Sequence, residues 1–110
     1  MRHEGRVRAT DEARYVVGFC DGTLDVEPDR LVIQGEPHAN GRERKPVVIE
    51  RADVATLHLR CGFFGATLRR ELPSGYRSDV IRTKAWKPLL DDLEAHAWPV
   101  DVTGPRRPRG

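Results

Sequence analysis

Ala85-Trp86-Lys87-Pro88-Leu89-Leu90-Asp91-Asp92-Leu93 is the stretch that decides the fold class of this chain. Its apolar residues are spaced at i, i+3, i+4 and i+7, which is the period of one helix face, and they are Trp86, Leu89, Leu90 and Leu93. We predict a helix that buries this face, with Trp86 as its main contact. The acidic residues fall on the other side, so we expect Asp91, Asp92 and Glu94 to form a solvated face.

The ends of this helix are indicated by residues with defined roles at helix termini. Thr83 is a candidate N-cap. Pro88 is tolerated only in a first turn, so the regular helix is expected to begin nearer Trp86 than Thr83. Trp98-Pro99-Val100 ends it.

Upstream of the helix, the sequence alternates short β patterns with Gly, Pro and Asn-Gly turns. Strands are predicted at residues 15–20, 23–27, 31–33, 47–49, 54–61, 63–72 and 76–82. The alternation places one set of side chains inward, namely Leu24, Val26, Leu57, Leu59, Cys61, Phe64, Ala66 and Leu68. We therefore predict an α+β fold: a small antiparallel β-barrel or sandwich of six to seven strands, capped by one C-terminal amphipathic helix. The alternative is a five- or six-stranded OB-like or SH3-like barrel with an appended helix.

Length and composition indicate one globular domain. A chain of 110 residues has room for a single core, and 38% hydrophobic with 33% charged residues is typical of strands that bury one face. We expect residues 1–13 to form an arm that is flexible or adds an edge strand, the domain to span 14–102 and a disordered basic tail to span 103–110. No apolar run is long enough to cross a bilayer, and the first residues lack the apolar part of a secretory signal. A cytoplasmic location is expected, with Cys20 and Cys61 as two free thiols.

The net charge of +2 does not by itself indicate nucleic-acid binding. The tail alone carries Arg106, Arg107 and Arg109, so the rest of the chain is slightly acidic.

The sequence patterns of this chain do not indicate catalysis. The four histidines, His3, His38, His58 and His96, lack metal-ligand spacing. Alternation puts His58 and Cys61 on opposite faces of one strand, which disfavours a metal site or a Cys–His nucleophile. Glycine-rich phosphate loops and the serine nucleophile elbow are absent from the sequence. We therefore expect no catalytic residues, no metal ligands and no cofactor.

The longest polar connection, residues 35–45, is the best candidate for a contact site. Asn40-Gly41 is a strong hairpin signal because both residues tolerate a positive φ. Arg42, Arg44 and Lys45 follow along one arm of this loop. We predict that a partner or an anion is contacted by Asn40, Arg42, Arg44 and Lys45. The alternative is that these residues form a charged strand edge that discourages aggregation.

Two strand segments and the helix resemble the small bacterial pleckstrin-homology-like and GRAM-like domains. The resemblance lies in Gly22-Thr23-Leu24-Asp25-Val26, in Leu31-Val32-Ile33 and in the helix with Trp86. It implies a split β-barrel closed by the C-terminal helix and a scaffold role. The first hairpin departs from the lipid-binding members, because residues 25–30 contain three acids and one arginine. Inositol phosphates are therefore not expected as ligands.

These observations favour a non-catalytic interaction module that binds a protein or a second copy of itself. The alternative is a binder of nucleic acid or an anionic membrane surface, which would use Arg42, Arg44, Lys45 and the basic tail.

Overall fold

The computed structural model describes residues 2–8, 20–37, 40–43 and 45–104. Within these residues there are eight strands and one α-helix. The strands are β1 (Arg2–Val7), β2 (Cys20–Val26), β3 (Arg30–Gly35), β4 (Val47–Glu50), β5 (Thr56–Gly62), β6 (Gly65–Glu71), β7 (Arg77–Thr83) and β8 (Val100–Thr103). The helix α1 (Trp86–Ala95) lies between β7 and β8 in the chain.

All eight strands belong to one mixed sheet in the order β4-β3-β2-β1-β7-β6-β5-β8. Neighbours pair antiparallel except β5 and β8, which are parallel because α1 carries the chain back before β8 begins. The α+β class and the C-terminal helix are confirmed. The expected antiparallel barrel or sandwich of six to seven strands is wrong in strand number, strand direction and closure, since among the described residues β4 and β8 remain unpaired ends.

Strand β1 lies in the interior of the sheet, between β2 and β7. His3 and Val7 are buried while Arg2, Glu4 and Arg6 are exposed, so the strand alternates across the sheet like the others. It pairs with β2 along its whole length and meets β7 through Val7 and Ile81. Residues 2–7 are therefore neither a loose arm nor an edge strand but an interior strand, which the sequence did not indicate because a strand with only two inward side chains gives little hydrophobic signal. Residues 9–19 lie outside the described part.

The helix packs against the core through the predicted leucines, but Trp86 is not its most buried contact. Leu89, Leu90 and Leu93 are buried, and Trp86 is only half-buried. Trp98, just after the helix, is 4% exposed, and its Nε1–H donates to the Glu27 carbonyl oxygen at 2.7 Å. The helix begins at Trp86 as expected. Thr83 is not its N-cap residue, since the cap position is Ala85.

Arg51 fastens the end of the helix to the turn between β2 and β3. Its guanidinium donates to the carbonyl oxygens of Pro28 at 2.8 Å and His96 at 3.1 Å, and also to that of Ala97. It lies 5.1 Å from the centre of the Trp98 ring. Carbonyl groups beyond the last helical turn lack intrahelical donors, so Arg51 satisfies them and fixes where Trp98 packs.

A single apolar cluster joins the inward side of the sheet to α1. Leu24, Leu31, Leu57, Leu59, Leu68, Ile81, Leu89 and Leu93 are among its fully buried members. Within the described residues, no helix is long and apolar enough to span a membrane. Residues 100–103 form the end strand β8, and 105–110 of the expected tail lie outside the described part.

Candidate interaction surface

The turn between β5 and β6 exposes two adjacent phenylalanines. Phe63 is 70% exposed and Phe64 is 94% exposed, between Gly62 and Gly65. Gly65 has a φ of 141°, and a Cβ at this position would lie 2.8 Å from the Thr83 carbonyl oxygen. Only glycine fits this tight approach to Thr83, and the two aromatic residues lie just before it at the tip of the turn. The expectation that Phe64 points inward with Ala66 is therefore wrong, because the turn ends the alternation.

A groove of about 970 Å³ runs from this turn across β6, β7, β1 and β2. Its lining includes Glu4, Arg6, Thr23, Thr67 and Arg82, together with both phenylalanines. Thr67 and Arg82 lie between buried neighbours in their strands, and Glu4, Arg6 and Thr23 each have one buried neighbour, so the groove lies on the face of the sheet opposite the core. The phenylalanines therefore form one end wall of a surface groove.

A row of polar and charged side chains runs across this face, each directly opposite the next on the neighbouring strand. Arg60 pairs with Thr67, Thr67 with Arg82, Arg82 with Arg6, and Arg6 with Asp21. Directly opposed residues in antiparallel strands have Cβ atoms about 5 Å apart, so Arg6 and Arg82 place two like charges side by side. This pairing is unfavourable for the sheet alone, and it places two basic side chains side by side in the lining of the groove.

The residues that the sequence predicted as a contact site precede the end strand β4 in the chain. Asn40, Arg42 and Lys45 are exposed, and Asn40 Oδ1 accepts a hydrogen bond from the Arg42 N–H at 3.0 Å. Arg44 and His38 lie outside the described residues. The next strand, β4, leaves Val48 44% exposed. That Asn40, Arg42, Arg44 and Lys45 act together in binding stays a prediction.

A buried polar cluster joins β1 to the helix. His3 Nε2–H donates to Asp92 Oδ2 at 2.7 Å, and both side chains are less than a tenth exposed. His96 Nδ1 lies 3.1 Å from Asp92 Oδ1. Asp91 and Glu94 are exposed as expected, but the prediction that Asp92 faces solvent is wrong. Strand β1 covers that side of the helix and supplies the donor that a buried carboxylate needs.

A second charged cluster lies on the exposed side of β5 and β6. The guanidinium of Arg77 donates to Glu71 at 2.9 Å, and His58 lies 3.3 Å from the same oxygen. The Arg77 hydrogen bond, with a smaller contribution from His58, holds the pKa of Glu71 below its usual range.

Both cysteines are free thiols, as predicted. Cys61 is fully buried on the face opposite His58, and this burial raises the pKa of the Cys61 thiol. Within the described residues, no group of three or more His, Cys, Asp and Glu residues could hold a metal ion.

The functional candidates that sequence reasoning missed are the aromatic turn and the arginine pair. The Gly-Phe-Phe-Gly pattern was a usable signal, because two residues between glycines fit a hairpin turn. The Arg6–Arg82 pairing had no sequence signal, since 76 positions separate the two residues. No family model matches this chain, and no curated protein is significantly similar to it.

Proposed function

We propose that this protein is a non-catalytic interaction module that binds a protein partner, or a second copy of itself, through the outer edge of β4. The single observation that carries the proposal is this edge. β4 pairs with β3 through residues 47–50, and no other described strand pairs with it. An edge strand offers unpaired N–H and C=O groups to an added strand. The resemblance of two strand segments and the helix to pleckstrin-homology-like domains implies a scaffold role of the same kind, although the open sheet formed by the described strands lacks the split barrel of that family.

The chemistry around β4 supports a protein contact. Val48 presents an apolar side chain on the outer face, and Asn40, Arg42 and Lys45, which precede β4 in the chain, supply exposed polar groups. An apolar centre with a polar rim is the usual composition of a protein–protein interface.

The proposal is tested by placing a photo-crosslinking amino acid at Val48, with Tyr76 as the matched control. Tyr76 is 62% exposed in the turn between β6 and β7, which is not adjacent to β4 in the sheet. We expect a protein adduct from position 48 and none from position 76. Val48→Lys should abolish binding of the captured partner, or lower the mass of the dimer in light scattering, while Tyr76→Lys leaves both unchanged. Equal adducts from both positions would contradict the proposal.

The competing function is binding of nucleic acid or an anionic membrane through Arg42, Arg44, Lys45 and the basic tail. The observation that favours it is the exposure of Arg42 and Lys45. This function predicts an affinity that falls steeply with rising salt concentration. Basic side chains that bind phosphates release the counterions condensed there, and added salt opposes this release. Replacing the three basic loop residues by glutamine should then weaken binding to duplex DNA or to phosphatidylserine vesicles. Binding that is insensitive to salt and to these changes would exclude it.

A further inference from the structure

The groove on the outer face has an apolar end. Phe63 and Phe64 stand at this end on a glycine-flanked turn, and together they expose two aromatic rings to solvent. Rigid aromatic side chains contribute large contact areas at little entropic cost, and they dominate many binding surfaces. An apolar side chain of a ligand would lose the most water against this wall.

The middle of the groove is basic. Arg82 of β7 and Arg6 of β1 are opposed in register and both line the groove. Two neighbouring guanidinium groups match the planar oxygens of a carboxylate, which can accept paired hydrogen bonds from them. Both side chains also make contacts within the chain, so a bound carboxylate joins or replaces an existing interaction.

The far end of the groove is acidic. Asp21 follows Arg6 in the cross-strand register, and the Glu36 N–H donates to the Asp21 carbonyl oxygen at 2.8 Å, which holds the two acidic residues together. Neighbouring strands lie about 4.8 Å apart, so β7 and β2 are about 10 Å apart. An extended chain covers this distance with about three residues.

We propose that this groove binds an extended peptide segment of a partner protein, in which an apolar residue is followed by an acidic residue and, about three positions later, by a basic one. The apolar side chain packs on Phe64, the acidic one binds Arg82 and Arg6, and the basic one binds Asp21 and Glu36. The inference rests on the proposed function as an interaction module and adds a second surface with its own ligand chemistry. An anionic membrane fits less well, because the acidic end of the groove would repel it.

A displayed library of random nine-residue peptides, selected on the full chain, tests the proposal directly. We expect enrichment of the apolar–acidic–basic order at the stated spacing. Phe64→Ser and Arg82→Ala should each raise the Kd of an enriched peptide at least tenfold, as measured by fluorescence anisotropy. Arg82→Glu should reverse the preference, so that a peptide with lysine in place of its acidic residue binds more tightly than the original. This reversal separates direct contact from a loss of folding.

Matched controls are available outside the groove. Tyr76→Ser removes an exposed aromatic ring from the turn between β6 and β7, and Arg2→Ala removes an exposed arginine near the start of β1. Neither should change peptide affinity by more than about twofold. Far-UV circular dichroism should show that all variants keep the native fold.

The inference would be overturned by the absence of any enriched peptide, by enriched peptides without the acidic residue, or by affinities that the groove variants do not change. Binding to phosphatidylserine vesicles that depends on Phe64, while peptides do not bind, would overturn it as well. Capture of residues 9–19 of the same chain by a photo-crosslinker at position 64 would also overturn it. If the groove binds no peptide but a photo-crosslinker at position 48 still captures a partner, this inference fails and the proposed function stands. If neither the groove nor the edge of β4 captures a partner, the proposed function fails as well.

Discussion

The contact between β1 and α1 makes Asp92→Ala the most informative stability variant. The Asp92 carboxylate is buried and accepts from His3 at 2.7 Å, with His96 Nδ1 at 3.1 Å from its other oxygen. A hydrogen bond to a charged group contributes about 1.5–3 kcal/mol, and a buried donor left without a partner costs about 1–3 kcal/mol. We therefore expect Asp92→Ala to lower the free energy of unfolding by about 3–4 kcal/mol. For a chain of this size, this lowers the Tm by roughly 12–15 °C.

The assay is urea unfolding followed by tryptophan fluorescence and circular dichroism, carried out as a double-mutant cycle with His3→Ala. His3→Ala should cost less, about 2–3 kcal/mol, because His96 still contacts the carboxylate. The double variant should lose at least about 1 kcal/mol less than the sum of the single losses. Asp91→Ala is the matched control, since Asp91 is the exposed neighbour on the same helix, and it should change stability by no more than about 0.5 kcal/mol.

Two results would refute this reasoning. A loss below about 1 kcal/mol for Asp92→Ala would mean that the carboxylate is hydrated in solution. Additive losses for Asp92→Ala and His3→Ala would mean that the two side chains do not interact, and that β1 does not cover the helix.

Three further predictions concern packing, thiols and pH. Trp98→Ala should lower the free energy of unfolding by about 3–5 kcal/mol, and Trp86→Ala by clearly less, because the Trp98 ring is buried whereas the Trp86 ring is only half-buried. Equal urea midpoints for the two variants would contradict this. In native protein at pH 8, an alkylating reagent should modify half-buried Cys20 well before Cys61, whose pKa is raised by burial, and denatured protein should show two adducts by mass spectrometry. Because neighbouring basic groups lower the pKa of Glu71 below 4.5, its contribution to stability is complete above about pH 4.5 and is lost as the pH falls through the lower folded-state value. Glu71→Gln should flatten that part of the pH–stability curve, and an unchanged slope would show that the ion pair does not persist in solution.

The sequence by itself determined the helix and the local hairpins. Leu89, Leu90 and Leu93 recur at the helical period, and the alternation of Leu57, Leu59 and Cys61 defines one face of a strand. These signals are local, because each depends on residues less than two helical turns apart. Apolar side chains on one face of an element are driven out of water whichever other element that face packs against. For the same reason the sequence correctly separated His58 from Cys61.

Only the tertiary structure decided which strands are neighbours and which polar groups become buried. β1 has few apolar residues, yet it lies in the middle of the sheet because β2 and β7 both pair with it. Its position buries Asp92 against His3 and places Arg6 opposite Arg82. No periodicity encodes these contacts, since they join residues 76 to 89 positions apart in the chain and depend on the register of several strands together. The local pattern fixes which face of each element is apolar, whereas long-range pairing decides where that face lies and what covers it.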